Sequence, residues 1–209
     1  IILLLSVMSF IVSVHAQVFT DSNLPLVMIT TDNNWPIPDE PGVLGSMKII
    51  YRGPGLRNYV TDKHSIQFLD YSGRIVIEIR GSSSQVAEKK AYGLTTLKPD
   101  NVTNNNVSLL GMPSENDWVL NGLAFDPSLI RDYLSFNLSR QIGQYASRTA
   151  YCEVVLNGNY RGLYVLAEKI KVDKGRVNII KMEEDDNSQP ELYGGNKVKK
   201  KKTNGNAVA

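Results

Sequence analysis

The sequence predicts an α+β fold, a mixed, largely antiparallel sheet with one helix packed against it. Three observations predict it. Asn157-Gly158 stands between two alternating apolar runs, the strongest short hairpin signal a sequence can carry. Three strand-like runs, MKIIY, SIQFLDY and RIVIEIR, follow one another between residues 47 and 80, with turn formers between them. One stretch, residues 127–142, repeats apolar side chains at three- and four-residue steps, the pattern of a single amphipathic helix.

The elements follow in chain order. The chain opens with IILLLSVMSFIVSVHAQ, which carries no acidic or basic side chain. This run ends in Val14-His15-Ala16, a small-x-small junction that fits signal-peptide cleavage after Ala16. It is shorter than the roughly 20 apolar residues of a membrane anchor. Residues 1–16 are therefore expected to be a signal peptide with a truncated start. The mature protein, from Gln17, is expected to be secreted or extracytoplasmic, with no membrane span after cleavage. LPLVMIT predicts a buried strand, and NNWPIPDEPG a loop. Tyr71-Ser72-Gly73 is expected to join SIQFLDY to RIVIEIR as a hairpin. KPDNVTNNN reads as an exposed loop. In the helix, Asp126 is the expected cap and Pro127 suits the first position, where its missing N–H costs nothing. Leu129, Ile130, Tyr133, Leu134, Leu138 and Ile142 form one stripe, and Gly143 is the stop. At 1.5 Å per residue this helix is expected to be roughly 24 Å long. Alternation then puts Ala150, Cys152, Val154 and Leu156 on one face, so Cys152 reads as a small buried hydrophobe. Residues 183–209 are a polar, Lys-rich tail without apolar periodicity.

Composition narrows the function classes. A length of 209 residues suits one sizeable domain or two small ones. With 42% apolar and 21% charged residues the chain is globular rather than disordered. A net charge of +2 gives no argument for nucleic acid as a partner. The two histidines, His15 and His64, are far apart, and Cys152 stands alone, so no zinc or iron–sulfur ligand set can be assembled. A single cysteine also excludes an internal disulfide. No Ser/His/Asp arrangement is present. Asn101, Asn106 and Asn137 head glycosylation sequons, which matter in a host that glycosylates secreted proteins.

The chemistry-bearing candidate is IEIRGSSSQVAEKKAYGL, residues 77–94. Phosphate binding needs positive charge and donors brought close to the ligand, which favours small residues in the loop. Arg80, Gly81, Ser82, Ser83, Ser84, Lys89 and Lys90 are of those types. The segment lacks GxxxxGK[ST] and is not a Walker loop. By residue type alone, a solvated turn is the better reading. Glu168 is the second candidate, because a phosphate-binding lysine is commonly held by a carboxylate from another element. Spacing alone does not separate that role from a surface glutamate at a strand end. Trp118 reads as core, and Arg176 and Asn178 as bridging a turn to the next strand.

Five blocks in order resemble the CotH family, atypical protein kinases first associated with spore coats. They are LPLVMITTD, IEIRGSSSQVAEKKAYGL, LLGMPSENDWVLNG, DPSLIRDYLSFNLSRQIGQYA and VVLNGNYRGLYVLAEKIKVDKGRVNI. The resemblance covers roughly residues 24–180. It implies an atypical protein-kinase-like fold, ATP and Mg2+ as cofactors, and a Ser/Thr-bearing protein of the cell surface or coat as substrate. It assigns the nucleotide phosphates to Lys90, with Lys89 second, the loop's shape to Arg80 and Ser83, and the lysine's orientation to Glu168. On this reading residues 17–182 are the N-terminal part of a CotH-type kinase domain. The metal ligands and catalytic carboxylate are expected beyond Ala209, so the 209 residues alone are expected not to transfer phosphate. Lys201 stands where the family pattern has an aspartate. The rival reading is a non-catalytic cell-surface or coat-assembly binding module with the same fold.

Overall fold

The computed structural model describes residues 18–179. The expected signal peptide and the Lys-rich tail lie outside the described residues. The strands are β1 (Asp21–Ser22), β2 (Leu26–Thr31), β3 (Val43–Ile50), β4 (Asn58–Tyr59), β5 (Leu69–Arg80), β6 (Ala91–Leu97), β7 (Asp117–Asn121), β8 (Thr149–Leu156) and β9 (Asn159–Glu168). One α-helix, α1 (Arg131–Gln141), lies between β7 and β8. β1 and β4 form a two-residue ladder. The other seven strands close into a barrel in the order β2-β3-β5-β6-β7-β9-β8. Every pairing is antiparallel except the one that closes the ring, where β2 runs parallel to β8.

Alternation explains how this barrel fills itself. Ile75 and Ile77 of β5, Met47 and Ile49 of β3, Val27 and Ile29 of β2, and Leu166 of β9 are all fully or almost fully buried in one cluster. Trp118, Cys152 and Tyr164 join them, as expected for Trp118 and Cys152. Each such aliphatic side chain contributes about 1.5–3 kcal/mol of burial. Asn157-Gly158 makes the expected hairpin between β8 and β9. Both residues take positive φ, +49° and +76°, as a tight two-residue loop demands.

The fold class is the main correction. The expected α+β, kinase-like arrangement with a packed helix is not what forms. The described residues are mostly β, a closed seven-stranded barrel with one peripheral helix among them. Not one α1 residue is buried. A sheet that closes on itself covers its own apolar face and needs no helix to do so. The helix is instead held by its polar side. Asn121 donates to the Asp132 carboxylate at 2.7 Å, and the Arg140 guanidinium donates to the Ser147 carbonyl at 2.5 Å. Tyr133 stacks on Tyr151 with centroids 4.8 Å apart. The expected stripe faces outward, with Leu134 and Leu138 about half exposed and Ile142 at 76%. The helix is also shorter than expected. Asp126 accepts hydrogen bonds from Ser128 and from the Arg131 N–H, so its cap stabilises a turn before the helix begins. The stop is as expected: Gly143 has φ +80°, and Gly143 and Gln144 donate back to Arg140 and Ser139.

A second correction concerns Tyr71-Ser72-Gly73, which does not turn. β5 runs unbroken through it for 12 residues. The inward series Tyr71, Gly73, Ile75, Ile77 keeps the period of two, and the Tyr71 ring folds over the space left by Gly73. Its hydroxyl donates to the Arg74 carbonyl at 3.1 Å. Among the described residues no helix is long and apolar enough to cross a membrane.

Leu166→Ala is expected to cost about 2–5 kcal/mol, because a fully buried barrel side chain leaves a cavity. Leu138→Gln on the outward face of α1 is expected to change stability by about 0.5 kcal/mol or less. Urea unfolding of both variants measures the contrast, and equal losses would place α1 in the core after all.

Candidate functional site: a cationic pocket at one end of the barrel

Past Arg80 the chain leaves β5 through Gly81, whose φ of +118° suits glycine and whose missing Cβ makes room for the Ser84 hydroxyl. A 3-10 turn, Ser83–Val86, follows. The Gln85 side chain ties this turn down by donating to the Gly81 carbonyl and to Asp39, both at 2.7 Å. Lys89 and Lys90 then approach β6. Lys90 Nζ donates to the Gln85 carbonyl at 2.6 Å, and Lys89 Nζ to the Leu163 carbonyl on β9 at 2.5 Å. The backbone of this lysine pair passes so close to Gly122 that any Cβ there would press on the Lys90 carbonyl.

The Lys89 ammonium also sits 4.7 Å from the centre of the Tyr164 ring. Burial holds its pKa below the usual lysine value. Burial likewise raises the phenols of Tyr92, Tyr160 and Tyr164, Tyr160 to about 12. These three hydroxyls therefore stay protonated at neutral pH, and that of Tyr160 donates to the Glu153 carboxylate at 2.7 Å. Together with Glu88 and Arg161, these lysines and tyrosines line a pocket of about 300 Å³.

Arg161 is the residue that the sequence reading missed. In the β8–β9 ladder Val154 pairs with Gly162 while Val155 pairs with Tyr160, so Arg161 is the extra, unpaired residue of a β-bulge. A bulge re-aims its side chain out of the regular alternation. Here it places a guanidinium at the same pocket as Lys89 and Lys90. Gly162, with φ +85°, makes the bulge possible. Its position inside an otherwise alternating strand was the signal available.

The five candidate residues fall into separate places. Lys89 and Lys90 line the pocket just described. Arg80 and Glu168 line a different, smaller cavity of about 140 Å³ on the outer barrel wall, together with Asp132 and Phe136 of α1. Ser83 is exposed at the start of its 3-10 turn. Five residues of extended strand, about 17 Å, separate Leu163, where Lys89 is bound, from Glu168.

Glu168 has arginines as its partners. It is 2% exposed. Arg176 Nη1 donates to it at 2.8 Å, and the Arg148 backbone N–H and guanidinium donate at 2.8 and 3.1 Å. The Arg176 side chain is fully buried and lies over the Trp118 ring, 5.0 Å from its centre. Nε and Nη2 of Arg176 have no hydrogen-bond partner among the described residues. This is a buried ion pair that closes one end of the barrel against Trp118.

With Lys89, Lys90 and Arg161 against Glu88, the lining of this pocket carries more positive than negative charge. A family model described as CotH kinase protein matches residues 77–208, and the chain belongs to that family. No curated protein matches it. The match begins in β5 and takes in the lysine pair, the bulge and Glu168. Kinase chemistry in general implies ATP and Mg2+. The pocket's donors suit phosphate oxygens, since each lysine keeps N–H groups beyond the one given to a carbonyl. For a divalent ion the described residues offer no cluster of three His, Cys, Asp or Glu side chains.

Glu168→Ala is expected to cost about 3–5 kcal/mol, because it strands the buried Arg176 charge. Pairing Glu168→Leu with Arg176→Met is expected to recover most of that loss. Denaturant titration of the single and double variants checks this; a double variant as unstable as the single one would show that the charge pair is not the cause.

Proposed function

We propose that this chain is the nucleotide-binding part of an exported CotH-type protein kinase, which moves the γ-phosphoryl group of ATP to Ser or Thr of a surface or coat protein. The observation that carries the reading is the convergence of Lys89, Lys90 and Arg161 on one tyrosine-lined pocket within the family match. None of the three forms an ion pair among the described residues, so their charge is free for a ligand's phosphates. Lys90 and Arg161 would take the phosphate oxygens through charge-assisted hydrogen bonds, Arg161 with the planar fork that suits phosphate. Lys89, fixed between the Leu163 carbonyl and the Tyr164 ring, would hold the inner wall.

A second reading has its own observation. Lys89 and Lys90 already bind backbone carbonyls that fasten the 81–90 loop to the barrel. That favours a binding module of the cell surface or coat in which the lysines are structural.

Calorimetric titration of ATP into the 209-residue chain separates the two. A charged hydrogen bond is worth about 1.5–3 kcal/mol, and 1.4 kcal/mol is tenfold in affinity. Lys90→Ala and Arg161→Ala are each expected to weaken binding about tenfold or more on that scale. Arg80→Ala, in the other cavity, is expected to weaken it less. Unchanged affinity in both Lys90→Ala and Arg161→Ala favours the structural reading.

A further inference from the structure

The outer face of β3 and β5 carries a second site, unconnected with the lysine pair. Its floor is made of the small side chains of Ser46 of β3 and Ser72 of β5, with the backbone of the inward-facing Gly73 beside them. One wall is the segment of 3-10 turns from Val60 to Phe68, which presents Lys63, His64 and Ile66. The other wall is the stretch around residues 105–108. Small floor residues between tall walls leave a trough. Two adjoining hollows of about 740 and 320 Å³ make it up, and Lys48, Ser72 and Asn105 line both. Along β5 it runs from Asp70 to Arg74, about 13 Å of extended chain.

Charge identifies the occupant. Lys48 stands at the centre, and its ammonium donates to the Lys63 carbonyl at 2.8 Å. Neither Lys48 nor Lys63 forms an ion pair among the described residues. Arg74, at one end, is already paired with Asp32 at 2.6 Å. Asp70 is the only carboxylate on the lining, and it accepts the Leu110 N–H at 2.8 Å. The trough is therefore cationic at its middle. Ser46, Ser72, Asn105 and Ser108 offer hydrogen bonds along its length, and Ile66, 87% exposed, gives an apolar rim.

We infer that this trough docks an acidic polypeptide segment in extended form, with a carboxylate over Lys48 and about four residues along β5. A compact anion such as phosphate would leave most of the trough unfilled, whereas an extended chain matches its length and its spaced hydrogen-bonding groups. Lys48, Lys63, Asp70 and Ser72 all precede residue 77, where the family match begins. The floor and the first wall thus belong to a part of this chain outside that match. The inference stands whether or not the lysine-pair pocket takes a nucleotide.

Fluorescein-labelled octaglutamate and octaglutamine, titrated at low ionic strength into the full chain and followed by anisotropy, test it. Octaglutamate is expected to bind and octaglutamine not. Lys48→Glu, which reverses the central charge, and Ser72→Trp, which fills the floor, are each expected to weaken octaglutamate about tenfold or more, the loss of roughly one charged hydrogen bond. Lys174→Ala, at an exposed lysine that lines neither hollow, is expected to leave it unchanged. Thermal melts confirm that each variant is folded. Absence of octaglutamate binding, equal binding of octaglutamine, unchanged binding in Lys48→Glu, or a loss in Lys174→Ala as large as in Lys48→Glu would overturn the inference.

Discussion

The parallel pairing of β2 with β8 is the constraint on which the rest of the structure depends. Without it the other strands form an open sheet with two bare edges and one uncovered apolar face. With it, Val27 and Ile29 meet Val154 and Leu156 across the seam, and the core becomes the inside of a ring. The seam is fastened by Asn157. Its side chain accepts the Thr31 N–H at 2.9 Å and donates to the Thr31 hydroxyl at 3.0 Å, while its own N–H reaches the Ile29 carbonyl. One residue thus serves the β8–β9 hairpin and locks that hairpin onto β2.

Closure also decides where chemistry can occur. A barrel wall spends its backbone donors and acceptors on neighbouring strands, so free polar groups collect at strand ends, bulges and the outer face. The two ends of β9 show opposite solutions. Near its start a bulge turns Arg161 toward Lys89 and Lys90, and charge is left open to a ligand. At its end Glu168 is enclosed with Arg176 over Trp118, and charge is neutralised internally. The first arrangement is suited to binding. The second specifies how the chain after β9 packs back on the barrel, because an ion pair without water has few acceptable geometries.

Much of this was legible, in proportion to how local its physics is. Asn157-Gly158 was readable because turn chemistry resides in two adjacent residues. Cys152 and Trp118 were readable from alternation and residue type, and burial indeed pushes the Cys152 thiol up to about 12. Lys89 and Lys90 were readable as an adjacent pair of cations, and both line one pocket. The barrel was not visible, since the β2–β8 seam joins segments more than 120 residues apart and leaves no mark in either. Tyr71-Ser72-Gly73 misled because turn-forming residues were outweighed by an unbroken period of two. The stripe of α1 announced an apolar face but not its direction, and the polar contacts of Asp132 and Arg140 turned it outward. Arg161 hid within a strand, with only Gly162 to betray the bulge.

The open charge near the start of β9 has an energetic consequence of its own. Burial imposes a desolvation penalty on the Lys89 ammonium, and the Glu153 carboxylate offsets part of it. The fold tolerates this because carbonyls of Gln85 and Leu163 and the face of Tyr164 partly compensate the two ammoniums. Carbonyls offset a positive charge without neutralising it, so a residual field remains in the pocket. An anion entering there would meet donors already fixed in place, with little further ordering cost. The lysine contacts that brace the loop thus set the positions of the same ammoniums that face the pocket.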